Sequence, residues 1–164
     1  MIFITIGTQA PFDRLISTVD TVAKDFPGEE FVAQALGGTY QPANLKQFNF
    51  LDPKDFSYYF KNADLIVSHA GIGTMISALT DGKPLIVLPR RLDLGEHTSD
   101  HQIATANKFE QLGYLHVAQN EAELATELTQ ILTTRKFKTL GRVNPWASQE
   151  LINALKNDIA GFAK

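Results

Sequence analysis

Asp64-Leu65-Ile66-Val67-Ser68-His69-Ala70-Gly71-Ile72-Gly73-Thr74 is the stretch that decides the fold of this chain. Asp64 opens a strand whose Leu65-Ile66-Val67 is a continuous apolar run, the pattern of a strand covered on both faces. A helix is predicted from about Gly73 to Thr80, closed by Asp81-Gly82, and Lys83-Pro84 then leads into a second buried strand, Leu85-Ile86-Val87-Leu88-Pro89. Two glycines, Gly71 and Gly73, stand where strand turns into helix. Glycine lets the backbone approach a ligand closely, and the unpaired N–H groups of a helix's first turn favour an anion. A phosphate suits such a turn, and Thr74 adds a hydroxyl at the helix start. The same glycines also suit a tight turn with no ligand. A dinucleotide fingerprint would follow the first strand, with an acidic residue about twenty positions on. Here the glycines follow a strand in mid-chain, which disfavours a hydride-transfer cofactor.

Outward from this unit, strands alternate with helices, the signature of an α/β fold whose parallel sheet is covered by helices on both faces. The first strand is Ile2 to Ile6, followed by Gly7-Thr8 and a helix from about Phe12 to Lys24. Glu30 to Leu36 is the next strand and Phe48 to Leu51 a third, short one. Asp52-Pro53-Lys54-Asp55 starts a helix with a capping residue, proline at the first helical position and a carboxylate in the first turn. That helix carries Phe56, Tyr58, Tyr59 and Phe60, read as core, with an exposed ring packing on a partner or a base as the alternative. After the loop Arg90 to Ser99, a helix is predicted from about Asp100, as its cap, to Leu112, then a last strand, Leu115 to Ala118. Asn120-Glu121-Ala122-Glu123 caps a helix with Leu124, Leu128, Ile131 and Leu132 on its apolar face. A final helix, Trp146 to Phe162, packs on its own domain or on a partner.

The 164 residues, 44% hydrophobic and 20% charged, fit one domain over residues 1–164. A net charge of −3 without a Lys/Arg cluster argues against a nucleic-acid surface. Without cysteine, disulfides, thiolate metal sites and a cysteine nucleophile are excluded. Met1 to Gly7 reads as a strand rather than a signal peptide, and no apolar run approaches about twenty residues, so the expected compartment is the cytoplasm.

In an open parallel sheet, ligands sit at the carboxyl ends of the strands. The turns Gly7-Thr8-Gln9, Gly37-Gly38 and His69-Ala70-Gly71 and the loop Arg90 to Ser99 should therefore line one cleft. At the next helix start, His101 and Gln102 can exchange hydrogen bonds with hydroxyl groups, as sugar-reading side chains do.

Gly7-Thr8 with Pro11-Phe12-Asp13-Arg14-Leu15-Ile16, the segment Ser68-His69-Ala70-Gly71-x-Gly73-Thr74, Gly82-Lys83-Pro84-Leu85-Ile86-Val87, and Gly95-Glu96-His97 before Asp100-His101-Gln102 together carry a resemblance. The chain resembles the bacterial exopolysaccharide and capsule glycosyltransferases of the split two-subunit type, within glycosyltransferase family 28. It is also similar to the catalytic subunit of the two-part UDP-N-acetylglucosamine transferases of N-linked glycosylation. The likeness runs from Met1 to about Leu132. It implies the Rossmann-like, nucleotide-sugar-binding half of a GT-B fold. It further implies an inverting, UDP-sugar-dependent hexosyltransferase that acts on a lipid-linked acceptor with a membrane-associated partner, which would recruit it to the inner face of the membrane.

Carried over residue by residue, Ala70, Gly71, Ile72, Gly73 and Thr74 match the family's phosphate-binding turn, His101-Gln102 its donor-sugar pair, and Gly7-Thr8 its first glycine-rich loop. Ser77 stands where relatives commonly place an acidic residue for the ribose; one hydroxyl makes fewer such bonds than a carboxylate. Arg90 and Arg91 could add positive charge at the diphosphate. No Asp-x-Asp pair occurs, so no metal and no other cofactor is expected. The base for the acceptor hydroxyl is Glu96, His97 or His69, or lies on the partner. His69 could instead only bridge the sheet edge, and His97, Asp100 and His101, which could be metal ligands, are more simply solvated loop side chains. A non-catalytic UDP-sugar-binding subunit is the rival reading. A UDP-sugar epimerase is disfavoured, because those enzymes carry both GT-B halves in one chain.

Overall fold

The computed structural model describes residues 1–137, and the final helix expected at 146–162 lies outside them. Six parallel strands form one sheet in the order β3-β2-β1-β4-β5-β6. They are β1 (Ile2–Thr5), β2 (Phe31–Gln34), β3 (Lys46–Phe48), β4 (Leu65–His69), β5 (Leu85–Leu88) and β6 (His116–Val117). Central β1 pairs Ile2 with Phe31 on one side and with Leu65 on the other. The helices are α1 (Asp13–Ala23), α2 (Pro53–Asn62), α3 (Ile72–Asp81) and α4 (His101–Gln111), which connect strands, and α5 (Glu121–Thr134), which follows β6.

All of β1, β2 and β5 is buried, as expected of strands sandwiched between helical layers. Alternation along β1 divides the core. Ile2 and Ile4 face Leu15 and Val19 of α1 and Leu124 and Leu128 of α5. Phe3 faces Phe60 of α2, Met75 of α3 and Ala106 of α4. Each such side chain removed from water contributes roughly 1.5–3 kcal/mol before entropy is counted.

Two expected caps form: Asp52 accepts from Asp55 N at 2.8 Å and Asn120 from Glu123 N at 3.0 Å. Asp100 does not cap α4; its carboxylate accepts from Leu92 N at 3.0 Å and holds the preceding loop instead. The third strand is Lys46–Phe48 rather than Phe48 to Leu51, because the buried Gln34 amide, not a neighbouring strand, takes the Leu51 N–H at 3.0 Å, and Phe50 turns out to solvent. In the aromatic cluster of α2, Phe56 and Tyr59 pack on Phe3 at ring-centroid distances of 5.4 and 6.0 Å, whereas Tyr58 is exposed. Among the described residues, no helix is long and apolar enough to cross a membrane.

Candidate ligand site at the carboxyl edge of the sheet

Strand order reverses between β1 and β4, because β1 leads to β2 on one side while β4 lies on the other. Connections leave in opposite directions at such a point and open a crevice above the carboxyl ends. The turns after these two strands meet around one imidazole. A Cβ on Gly7 would lie 3.0 Å from His69 Cε1, and one on Gly71 would lie 2.3 Å from His69 Nε2. Gly7 has φ +74°, where a side chain would be strained. Both residues therefore have to lack a side chain for the ring to fit. Ser68 Oγ donates to the Thr5 carbonyl at 2.9 Å and lies 3.3 Å from His69 Nδ1. Burial, reinforced by the Arg90 charge, lowers the His69 pKa to about 4 against an opposing hydrogen bond at the Thr5 backbone. At neutral pH the ring is an uncharged hydrogen-bonding group.

Beside it, α3 starts without a side-chain cap at Gly71, and its first helical bond runs from Met75 N to Gly71 O at 3.1 Å. The N–H groups of Ile72, Gly73 and Thr74 therefore have no acceptor within the helix. Nothing lies within 4 Å of a Cβ built on Gly73, so this helix start faces open space. Ala70 is buried and offers only its backbone, Ile72 is exposed, and Ser77 is exposed one turn beyond Gly73. Thr8 is exposed in the turn after β1.

The loop after β5 is built differently. Arg90 was expected to face a diphosphate, yet its guanidinium is buried against backbone carbonyls: Ile6 O at 3.0 Å, Ala10 O at 2.7 Å, Pro11 O at 2.7 Å and Glu96 O at 3.4 Å. Glu96, a candidate base, is held by Arg14 through Nε at 2.7 Å and Nη2 at 2.8 Å and also accepts from Arg91 N at 2.9 Å. Arg91 pairs with Asp93 at the surface. Gln102, expected to read a sugar, is buried with Oε1 on Arg90 N at 3.2 Å. His101 is exposed, and its ring meets that of half-buried His97 edge to face at 4.5 Å.

The structure thus brings Gly7, Thr8, His69, Gly71, Ile72, Gly73 and Thr74 to one crevice and sets His97 and His101 on the loop beyond β5, with Arg90, Glu96 and Gln102 as its internal supports. Sequence reasoning missed Arg14. A cation in the first turn of a helix opposes the macrodipole and so calls for a carboxylate partner, which was the available signal. It also missed Asp13 and Asp20. Asp13 fixes the turn at Gly38 by accepting from Thr39 N at 2.8 Å, and Asp20 accepts from Asn44 N at 2.7 Å. Burial works against the Asp20 carboxylate, but these bonds together with the Tyr40 hydroxyl hold its pKa below the usual value. Among the described residues, no group of three or more His, Asp or Glu side chains is placed to hold a metal. A cavity of about 480 Å³ lies at the opposite, amino edge, between β4, β5 and the end of α5, away from all the predicted site residues.

The strand order and the crevice define a doubly wound, Rossmann-like α/β domain. Residues 1–148 match the glycosyltransferase family 28 C-terminal domain, and the chain belongs to that family. The UDP-N-acetylglucosamine transferase subunit ALG13 of Eremothecium gossypii is 33% identical over 153 residues, covering 92% of this chain and 71% of its own length. The UDP-N-acetylglucosamine--N-acetylmuramyl-(pentapeptide) pyrophosphoryl-undecaprenol N-acetylglucosamine transferase of Geobacillus kaustophilus is 27% identical over 143 residues, 84% of this chain and 38% of its own. The chain spans 10% of the length of the mouse and human ALG13 relatives. The NMR solution structure of ALG13 shares the fold, with a TM-score of 0.58 at 23% identity over 94% of this chain and 93% of that one.

Proposed function

We propose that this chain is the donor-binding subunit of an inverting glycosyltransferase, which moves a hexose from a UDP-sugar to a lipid-linked acceptor. The observation that carries the reading is the uncapped start of α3, open at Gly73 beside the glycine turn after β1. As the sugar leaves, the UDP diphosphate gains negative charge, and the N–H groups of Ile72, Gly73 and Thr74 with the Thr74 hydroxyl are the preorganised donors that would meet it. No metal or other cofactor enters this scheme. Ser77, one turn on, would take a ribose hydroxyl, and His101 a sugar hydroxyl. His97 is the stronger candidate for the base on this chain, since Glu96 is engaged by Arg14 and His69 is a weak base at about 4.

Two relatives support the substrate class by name: ALG13 is a UDP-N-acetylglucosamine transferase subunit, and the Geobacillus enzyme acts on a pyrophosphoryl-undecaprenol acceptor. We assign the chain a membrane-associated partner subunit that holds the acceptor and recruits it to the cytoplasmic face, and a place in exopolysaccharide or capsule synthesis. Calorimetry with UDP and UDP-sugars tests the reading: saturable binding that Gly73→Asp abolishes supports it, and binding unaffected by that carboxylate refutes the turn as the phosphate site.

The engagement of Glu96 also favours a second reading, a non-catalytic UDP-sugar-binding subunit that activates a partner transferase. Turnover measured with the partner decides between them. If His97→Ala abolishes turnover with UDP-sugar affinity retained, the chain is catalytic; unchanged turnover favours the binding subunit.

A further inference from the structure

We infer that Arg14 is a positioning residue: through a two-bond contact with Glu96 it sets the loop from Arg90 to Ser99, and so fixes where His97 and His101 stand at the rim of the crevice. The inference rests on the reading of that crevice as the donor-sugar site.

Arg14 projects from the first turn of α1 to a loop 82 residues away in sequence. Its guanidinium grips that loop at its start and again at Glu96. Nη2 donates to the Pro89 carbonyl at 2.8 Å where β5 ends, and Nε and Nη2 hold the two Glu96 oxygens at 2.7 and 2.8 Å immediately before His97. Only 9% of the Arg14 side chain and 13% of the Glu96 side chain is exposed, so the fork is shielded from water and directional. Within the loop, Glu96 N donates to Arg91 O at 3.0 Å and the carboxylate returns to Arg91 N at 2.9 Å, closing a compact turn. His97 leaves this turn directly, accepts from Ser99 N through Nδ1 at 3.3 Å, and packs on His101. Both Glu96 oxygens are therefore engaged in holding the loop, and the fork fixes the carboxylate against Arg14 rather than leaving it to swing toward a substrate. A planar fork is required here, because a lysine ammonium cannot hold two carboxylate oxygens and a carbonyl in one plane.

The test uses the full chain, imidazole resonances in long-range proton–nitrogen NMR spectra, and calorimetry with UDP and UDP-sugars. Arg14→Met and Glu96→Gln should each shift the His97 and His101 resonances and leave those of His69 in place, and the double variant should do no more than either alone. Affinity for the UDP-sugar should fall about tenfold while that for UDP changes less than about twofold, since the phosphate turn does not touch Arg14. Arg14→Lys should recover stability but not the wild-type resonances. The inference is overturned if His97 and His101 are unmoved in Arg14→Met, if the double variant shows additive shifts, or if Arg14→Lys restores the spectrum in full. If the wild type binds neither UDP nor UDP-sugar, the donor-site reading fails, and the imidazole resonances still decide the role of Arg14.

Discussion

The turn after β4 and the loop after β5 sit at the same edge of one sheet and end in opposite ways. After β4, the start of α3 is left without a cap, facing space that even a Cβ on Gly73 would not fill. After β5, the polar groups are matched within the protein: Arg90 meets four carbonyls, Glu96 meets Arg14 and Arg91, and Gln102 meets the Arg90 backbone. Buried polar groups must find partners, so a satisfied set is scaffold and an open one is where a ligand gains most. Charge by itself does not tell the two apart. The loop richest in charged residues holds itself together, and the turn of glycines is the one left open.

The largest effect tests the satisfied side. Arg90→Met should cost at least about 3 kcal/mol, because it strands carbonyls that a buried cation had bonded, and urea unfolding of the variant would show it. A loss under about 1 kcal/mol would mean that water reaches those carbonyls and that the loop is not closed. Next comes His69, whose folded pKa of about 4 lies below the 6.5 of an unperturbed histidine. The unfolded chain binds the proton more readily, so this stabilisation is complete above about pH 6.5 and is lost as pH falls towards 4, by on the order of 3 kcal/mol. Urea midpoints against pH should show that slope in the wild type and a shallower one in His69→Gln; matching slopes would remove His69 from the account. Smaller again is Gly71→Ala, which places a Cβ 2.3 Å from the imidazole and should destabilise by roughly 1–3 kcal/mol in thermal melts. The smallest change is the sharpest contrast. Gly73→Ala has room, so its melting temperature should hold or rise, by no more than about 1 kcal/mol of stability, while UDP affinity drops. Unchanged affinity would show that no ligand approaches that backbone.

Much of the fold could be read from local pattern. Apolar runs such as Leu65-Ile66-Val67 and Leu85-Ile86-Val87-Leu88 occur as buried strands, and Asp52 and Asn120 cap their helices because capping depends on residues three apart. The strand at Phe48 to Leu51 was displaced because the side chain that ends it, Gln34, comes from the neighbouring strand. The open turn after β4 was likewise legible, since glycines and a helix start are local features. What local pattern could not show is the state of Arg90, Glu96 and Gln102. The partners of Arg90 and Glu96, namely Ile6, Ala10, Pro11 and Arg14, lie about eighty residues away, Gln102 turns back to the Arg90 backbone, and a charged side chain looks the same in sequence whether it faces a ligand or a carbonyl. His69 stands out in the sequence, but the reason for the glycines around it, room for the ring itself, appears only in three dimensions.

Phe12 lies beneath both guanidinium groups, with Arg90 Cζ at 4.5 Å and Arg14 Cζ at 5.3 Å from its ring centre. Burial depresses the Arg90 pKa, the Glu96 carboxylate works against it, and the neighbouring Arg14 adds a smaller push downward. Two cations that repel each other thus share one ring and the Glu96 carboxylate, with Glu121 on Arg14 and the backbone carbonyls on Arg90 as further partners. For descent, that makes Phe12, Arg14, Arg90 and Glu96 a block of shared fate: exchange of any one lowers the fitness of keeping the other three. Lineages that remodel this loop would have to replace the set in close succession or pass through weakened intermediates.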